Sequence, residues 1–390
     1  MTPVGCSLIC SKVLVEKWLT PLVKEFNAHV ERTKADSAGI EISQDEYVAI
    51  QVDGQGLDAG QRVLELTAPL AMAGMYVHAV SSHSCVVTSS TGVRSADWYN
   101  RSIFFITTYF SDYVLVPVRA RHTVVTTLQQ RGFVFSAEAE AYVSQLSPML
   151  HQNYSLNSPS RERPQTASSS GSESRPHSSS MPSTPPAKDI PELQIRTFTK
   201  LMKNGIEPTV DTTLRLFSCA GSRECDGGSV RQLKDDLMQV LLASNPPSPL
   251  KQESSGQTLR DIDDTHALDY AARFLSMTLS SEPVSILMEE HLLSRLGKTL
   301  FGAKAEEDAL VPIIFDLRAL GWTATGIVGG VAGRLSQGPI TDQLEEQDIE
   351  QVEISFLSSA KAGSVIVQAK QLKKALRALE MGIEEVKGRR

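Results

Sequence analysis

Three observations predict an α+β fold built from tandem βαββαβ modules in two halves. Segments with strand periodicity and segments with helix periodicity alternate along both halves of the chain. A Ser/Pro-rich tract separates the two halves, and one turn-and-helix pattern recurs in both. The order β-α-β-β-α-β, in units of roughly 70 residues, is that of the ferredoxin-like split unit.

The composition argues against several classes of protein. With 390 residues, the chain is long enough for two domains or several small modules. Its net charge of −7 argues against a nucleic-acid surface, which needs a basic face. No apolar run approaches the roughly 20 residues that span a membrane, and the N-terminal segment lacks the basic start of a signal peptide. Five cysteines without paired spacing indicate a reducing compartment and no metal site, so we expect a cytoplasmic protein.

The first half alternates predicted strands and helices. Apolar residues at every second position indicate the strands, and apolar residues three and four apart indicate the helices. The expected elements are strand 6–11, helix 13–26, strand 47–52, helix 59–73, a hairpin within 102–116, helix 119–130 and strand 133–135.

The second half repeats this alternation. Its expected elements are strand 214–219, helix 230–242, strands 274–278 and 284–288, helix 290–301, strand 311–317, helix 325–335, strands 352–357 and 364–367, and helix 370–381. Between the halves, residues 153–188 are rich in Ser, Pro and Arg and nearly free of aliphatic side chains. Such a segment buries too little apolar area to offset its chain entropy, so we expect a disordered linker.

An internal repeat supports the modular interpretation. The segment G-L-D-A-G-Q-R-V-L-E-L-T-A-P-L begins at Gly56, and G-W-T-A-T-G-I-V-G-G-V-A-G-R-L begins at Gly321. The two align without a gap, each follows an apolar strand, and each is followed by a predicted hairpin. Two unrelated amphipathic helices could match in this way, but the shared flanks favour a duplication.

The segment 102–116, S-I-F-F-I-T-T-Y-F-S-D-Y-V-L-V, is the most informative stretch of the chain. Two apolar runs flank a polar corner, which predicts a buried hairpin. The corner places hydroxyls and one carboxylate at a strand end, where a small zwitterionic ligand could be held.

With its flanks, this hairpin resembles the signature of the CASTOR-type ACT-domain proteins, which are cytosolic amino-acid sensors. The resemblance covers most of both halves and is strongest in 56–70 with 102–116, and in 274–288 with 311–335. It implies four ACT modules in two halves, a flexible linker and a homodimer. It also implies that arginine binds between the second and fourth modules and releases a regulator of the TORC1 kinase pathway.

This resemblance divides the chain into five segments. They are a partial first ACT module at 1–44, a second at 45–150, a linker at 151–190, a third module at 191–305 and a fourth at 306–390. The first module lacks the family's initial strands, and residues 76–101 interrupt the second. We interpret 76–101 as a translated intron and the short start as a misplaced start codon; the alternative is a genuine surface loop, although loops this long without structure are uncommon.

The resemblance implies two related clefts, of which the first lacks the family's acids. In the family, arginine meets a Gly-aromatic-Asp-Glu turn, a Ser-Thr-aromatic-x-x-Asp corner and a Ser-Val strand start. The matching strand start is Ser102-Ile103, the turn begins at Gly321, and the corner includes Ser359. The turn has no acid and the corner ends in Gly363, so both carboxylates that would hold a guanidinium are absent. This argues against arginine in the first cleft.

The second cleft, with the roles of the modules exchanged, is better equipped. Its turn contains Gly56 and Asp58, and its corner contains Thr108, Tyr109 and Asp112. The fourth module contributes the strand start at Glu353. We predict that these groups hold a cationic or zwitterionic amino acid. The alternative role for Asp112 is to accept turn amide hydrogens, as Asp commonly does.

Three functions follow from these expectations. The first is a non-catalytic amino-acid-sensing protein that couples a small ligand to a protein partner in nutrient signalling, with no cofactor. The second is a structural ACT adaptor whose sites have decayed. The third is the regulatory subunit of an amino-acid biosynthetic enzyme. We expect no nucleic-acid or membrane partner, and a homodimer remains open.

Overall fold

The computed structural model describes fifteen stretches of the chain. They are residues 1–33, 39–43, 45–53, 59–73, 103–135, 142–145, 187–222, 227–244, 273–280, 283–295, 301–302, 309–320, 326–337, 352–359 and 361–389. The predicted insert at 76–101 and nearly all of the predicted linker at 151–190 therefore lie outside the described residues.

The described residues form one mixed sheet whose strands pair antiparallel, with one parallel exception. The strands are β1 Tyr47–Asp53, β2 Phe104–Thr107, β3 Ser111–Pro117, β4 Phe133–Phe135, β5 Tyr142–Gln145, β6 Pro208–Val210, β7 Leu216–Ser222, β8 Leu275–Leu279, β9 Pro283–Glu289, β10 Phe301–Gly302, β11 Leu310–Asp316, β12 Ile354–Ser358 and β13 Ala362–Gln368. Their main order is β4-β5-β1-β3-β2-β12-β13-β11-β7-β9-β8, with β10 beside β7 and β6 beside β11. The parallel pair is β1 with β5.

Seven helices accompany the strands in this part of the chain. They are α1 Thr20–Thr33, α2 Ala59–Met72, α3 Arg121–Gln129, α4 Ile190–Lys203, α5 Gly227–Ser244, α6 Ile327–Gln337 and α7 Leu372–Gly388. Short helical turns, Lys12–Leu14 and Val15–Leu19, lead into α1, and 3₁₀ turns occupy Val118–Ala120, Glu290–Arg295 and Ala369–Gln371. The structure is therefore α+β, as the sequence predicts.

Twelve of the thirteen described strands form three four-stranded units with one shared spatial order, and β4 adds an edge strand beside β5. Unit A has the order β5-β1-β3-β2, unit B the order β10-β7-β9-β8, and unit C the order β6-β11-β13-β12. In each unit the first long strand lies between a short strand and the second strand of a hairpin, whose first strand forms the other edge. The short strand follows the hairpin in the chain in units A and B, whereas β6 of unit C precedes β11.

Units A and C meet edge to edge along β2 and β12. Ile106 pairs with Leu357 in antiparallel register. We call this contact the seam. Across the seam, α2 of unit A packs against α6 of unit C, so the two units share one helix layer as well as one sheet.

The largest apolar core lies between this helix layer and the sheet. Phe105 and Phe356, on the two strands of the seam, are fully buried in it. Burying a side chain of this size contributes about 1.5–3 kcal/mol relative to exposure. Helix α4 packs closely on α6, since a Cβ on Gly330 would lie 2.1 Å from the Thr197 hydroxyl oxygen. Only glycine allows this approach.

The N-terminal prediction is wrong in one respect. Residues 6–11 form no strand in the structure. The helix that follows is present, but Thr20–Thr33 buries no side chain. Leu22 and Phe26 are exposed along it, and Leu14 and Trp18 are exposed in the short turns that precede it. The described residues of the predicted first module therefore add no strand to the sheet.

Two further differences concern the second half. The predicted helix 290–301 is instead the 3₁₀ turn Glu290–Arg295 followed later by β10. Helix α4 and strand β6 were not predicted, and both join unit C, because β6 pairs with β11 and α4 packs on α6 and α7. Residues 190–210 therefore lie with the fourth predicted module, although the sequence boundary groups 191–210 with the third.

Candidate functional site

Two hairpin corners have the same hydrogen-bond pattern. In unit A, the Thr108 amide donates to the Ser111 carbonyl at 2.9 Å, and the Thr108 hydroxyl donates to the same oxygen at 2.6 Å. In unit C, the Ser359 amide and hydroxyl bind the Ala362 carbonyl at 2.9 and 3.2 Å. Each hydroxyl oxygen also accepts the amide hydrogen at the far side of its turn. A short hydroxyl side chain thus fixes both turns.

The residue before each corner holds the seam together. The Thr107 hydroxyl oxygen accepts the Phe356 amide hydrogen at 3.0 Å, and the Ser358 hydroxyl oxygen accepts that of Phe105 at 3.1 Å. Because β2 and β12 run antiparallel, the two corners lie at opposite ends of the seam. Each corner therefore lies beside the start of the other hairpin.

A cleft of about 330 Å³ opens beside the unit A corner, where β2 ends and β12 begins. It lies between all three units and carries mostly polar side chains. Its lining residues are Arg62, Thr107, Thr108, Tyr109, Ser218, Ser276, Thr278, Ser285, Leu287, Leu310, Glu353, Ile354, Ser355, Leu357, Ile366 and Gln368. This volume is at the lower end of the range for small-molecule pockets, roughly 300–1,000 Å³.

Arg62 enters the cleft from α2 and is held by Asp112. The Arg62 Nε donates to Asp112 Oδ2 at 2.7 Å, and the Asp112 side chain is 0% exposed against 16% for Arg62. Burial raises the pKa of Asp112, while the charge and hydrogen bond of Arg62 and the Thr107 hydroxyl partly offset this rise. The ion pair is therefore nearly buried, with Arg62 on the cleft wall and Asp112 behind it.

Glu353 stands on the cleft wall formed by unit C. Its Oε2 accepts a hydrogen bond from Gln368 Nε2 at 2.9 Å, and its amide donates to Gln371 Oε1 at 3.1 Å. The side chain is exposed to solvent. These hydrogen bonds hold Glu353 at the cleft wall, where its carboxylate stays exposed to solvent.

The unit A corner also contacts unit B. The Tyr109 amide donates to the Ser285 hydroxyl oxygen at 2.9 Å. The Tyr109 and Phe110 rings pack edge to face at 4.9 Å, and both are more than 40% exposed. Unit B thus closes the cleft with hydroxyls from β7, β8 and β9, which the sequence interpretation did not foresee.

The structure brings together three of the predicted site residues, Thr108, Tyr109 and Glu353. Asp112 lies behind Arg62 and does not line the cleft. The turn amides of Ser111 and Tyr109 donate to Thr108 and Ser285 rather than to Asp112.

Two of the remaining predicted residues, Ile103 and Ser359, lie away from the cleft. Ile103 is fully buried in the helix-facing core, and Ser359 belongs to the corner at the other end of the seam. Gly56, Asp58, Ser102 and Gly321 lie outside the described residues. Sequence reasoning missed Arg62, although the repeat carries a signal for it. At the positions that align with Arg62 and Asp112, unit C has Ile327 and Gly363, so the base and the acid are absent together.

The described residues include neither a membrane-spanning helix nor a cluster of metal-binding side chains. No helix in that part of the chain is long and apolar enough to cross a membrane. Within the same residues, no group of three or more His, Cys, Asp or Glu side chains is arranged to hold a metal ion.

Several solved structures have a weak likeness to the chain. An aspartate kinase from Synechocystis is 11% identical with a TM-score of 0.28; the match covers 96% of this chain and 46% of that one, so this chain spans about half its length. The ligand-free regulatory subunit of aspartate kinase from Thermus thermophilus is 12% identical, with a TM-score of 0.23 over 45% of this chain and 97% of that one. A protein from Agrobacterium tumefaciens is 14% identical, with a TM-score of 0.22 over 43% and 83%. No protein-family profile matches the chain, and no curated protein matches its sequence.

Proposed function

We propose that the chain is a non-catalytic regulatory protein that binds a small amino acid in the cleft at the seam. The observation that carries this proposal is the pairing of opposite charges in one small polar cavity, with Arg62 on one wall and Glu353 on another. A zwitterion presents a carboxylate and an ammonium group. Charge-assisted hydrogen bonds to these groups are about twice as strong as neutral ones.

The position of the cleft supports a regulatory role. Its walls come from units A, B and C, so a bound ligand would contact all three. A ligand shifts a conformational equilibrium when its affinity for the two states differs. A change in the spacing of the units would change the spacing of Arg62 and Glu353, and with it the affinity. Ligand binding would thereby favour one arrangement of the units, which a protein partner can recognise.

The resemblance of the hairpin and repeat motifs to the CASTOR-type ACT proteins extends the proposal. It favours a cytosolic partner in nutrient signalling of the TORC1 type. Regulation of an amino-acid biosynthetic enzyme fits the same cleft. Both share the step proposed here, in which an amino acid alters the binding of a protein partner.

A second candidate is a structural adaptor that binds no ligand. The Arg62–Asp112 pair favours it, because an arginine of the chain itself pairs with a carboxylate that the sequence interpretation assigned to a ligand. The two candidates differ in one measurable property. A ligand that binds the folded state stabilises it by mass action, by about 2.7 kcal/mol at a hundredfold excess over Kd.

Thermal unfolding in the presence of each proteinogenic amino acid tests the proposal. We expect at least one of them to raise Tm, and Glu353→Gln to weaken its binding about tenfold by removing the charge that faces the ammonium group. Glu290→Gln is the matched control, since Glu290 is exposed on a 3₁₀ turn away from the cleft and 3.8 Å from Arg215. If no amino acid changes Tm, the adaptor is the better description.

A further inference from the structure

We infer that the outer edge of unit B is an interface through which two copies of this chain pair about a two-fold axis. The surface consists of strand β8 and of three side chains that α5 exposes, Met238, Leu241 and Leu242, and we call it the B edge. The inference goes beyond the proposed function and holds whether or not a ligand binds. It rests on the equivalence of the B edge to the two halves of the seam.

Strand β8 is the counterpart of the two seam strands. In each unit the first strand of the hairpin forms the outer edge, as β2 does in unit A, β12 in unit C and β8 in unit B. The last residues of these strands are Thr107, Ser358 and Leu279, and each pairs with the residue five positions further along the chain. Leu279 therefore occupies the position whose hydroxyl holds the seam together in units A and C.

The helices beside the seam show which side chains such an edge uses. In α2, Val63 and Leu70 are buried in the core, and the residues that follow them, Leu64 and Ala71, lie against α6 together with Ala68. Each of these three residues has an atom within 3.4 Å of where a Cβ on a glycine of α6 would lie. They meet those glycines in reverse chain order, so the two helices run antiparallel. The residue after each core-facing position therefore points across the seam.

Helix α5 exposes apolar side chains at the corresponding positions. Leu237 and Val240 belong to the core of unit B, and the residues that follow them, Met238 and Leu241, are 56% and 45% exposed. Leu242, at the next position, is 64% exposed. The same face of α2 is buried because α6 covers it. A patch of large exposed apolar side chains marks an interaction site.

The strand beside this patch presents its backbone outward. Leu275 exchanges hydrogen bonds with Met1 at 2.7 and 3.0 Å, on the side away from β9. Alternate residues of an antiparallel strand direct their amides to the same side, so Met277 and Leu279 also face the outer edge. The Leu279 side chain is 51% exposed. Natural proteins commonly place a charge or a proline on an open edge, because an apolar edge pairs with another strand.

A second copy of the chain is the partner that matches the B edge. The seam joins two edges of one kind, and β2 and β12 already pair with each other. Among the described strands, β8 is the third edge of this kind, so a like edge for it belongs to another chain. Two identical edges that meet antiparallel form an isologous contact, which closes after two copies. The expected assembly is therefore a two-fold dimer in which β8 meets β8 and α5 meets α5.

Sedimentation velocity of the full chain over a range of concentrations tests the inference. We expect wild type to dimerise, and Leu241→Asp and Leu279→Lys each to weaken dimerisation at least about tenfold, because both bury a charge without a partner. Val118→Asp is the matched control, since Val118 is 50% exposed on a 3₁₀ turn of unit A. It should leave the dimer unchanged.

Hydrogen exchange on wild type gives a second measurement that needs no variant. The outward amides of Met277 and Leu279 should exchange faster as the protein is diluted and the dimer dissociates. A wild-type chain that stays monomeric at high micromolar concentration overturns the inference, as does exchange that is independent of dilution. A dimer that Leu22→Asp dissociates and Leu241→Asp does not would use α1 instead, and the inference fails. It also fails if Leu241→Asp lowers the Tm of a monomer, because the chain itself then covers the patch.

Discussion

The hairpin corners of units A and C share one hydrogen-bond pattern, but only the unit A corner is followed by an acidic side chain. Thr108 and Ser359 close their turns with the same three hydrogen bonds. The second residue of the return strand is the buried acid Asp112 in unit A and the glycine Gly363 in unit C. The hydroxyl therefore determines the shape of the corner, whereas the second residue of the return strand determines whether a charged helix side chain can pair with it.

The largest expected effect comes from replacing Arg62, the cation that pairs with Asp112 in unit A. Arg62→Met leaves Asp112 buried without its partner, and losing one member of a buried pair costs about 3–5 kcal/mol. Urea unfolding of wild type and variant measures this loss. The control, Arg119→Met, removes a pair whose arginine is 40% exposed and should cost about 0–1 kcal/mol. Equal effects of the two variants would contradict the buried role of Arg62.

Placing an acid in unit C is expected to cost somewhat less. A Cβ on Gly363 would lie 3.2 Å from Phe356 Cζ, and the aligned helix residue is Ile327, so Gly363→Asp crowds a ring and buries an unpaired carboxyl. We expect a loss of about 2–3 kcal/mol in urea unfolding. Adding Ile327→Arg should recover part of it. A double variant no more stable than the single one would show that the two helices are not equivalent in position.

The seam hydroxyls provide two smaller effects. Thr107→Val and Ser358→Ala each remove the acceptor of a part-buried amide hydrogen across the seam. Ser358→Ala should destabilise the chain by about 1 kcal/mol in urea unfolding, and Thr107→Val should cost more, because the Thr107 hydroxyl also hydrogen-bonds Asp112. A larger cost for Ser358→Ala than for Thr107→Val would contradict this.

The smallest effect is a pH dependence. Burial raises the pKa of Asp112, so the native state binds its proton more tightly than the unfolded state does. Stability from this group is fully present below the ordinary Asp pKa of 3.8 and is lost as pH rises through the raised value. Relative to Asp112→Asn, wild type should therefore lose stability as pH rises from that point. Tm curves of both proteins against pH measure this, and a pH-independent difference would contradict it.

Local patterns in the sequence predict much of the fold. Apolar alternation places β1, β3 and β13 within a few residues of their bounds, and the repeat predicts α2 and α6 at equivalent positions. The start of helix α4 also has a recognisable signal in the sequence. Asp189 caps it by accepting the Glu192 amide hydrogen at 2.7 Å, and Pro191 follows at the start of the helix.

The parts that could not be predicted depend on which strands become neighbours. The hydroxyls of Ser276 and Ser285 reach the cleft because unit B lies beside unit C in the sheet, and no local pattern gives that order. Glu290–Arg295 has helical periodicity in the sequence but forms a 3₁₀ turn rather than an α-helix. Arg62 was recognisable only by comparing the two copies of the repeat, where the base and the acid are absent together.

The seam joins parts of the chain that are very distant in sequence. Its two hydroxyl bonds link residues separated by 249 and 253 positions. Contacts between such remote segments carry a large loop-closure entropy and tend to form late during folding. Units A and C would each reach their own structure first, and the binding cleft would be completed only in the final docking step. In denaturant, loss of ligand affinity should therefore precede the loss of helical signal.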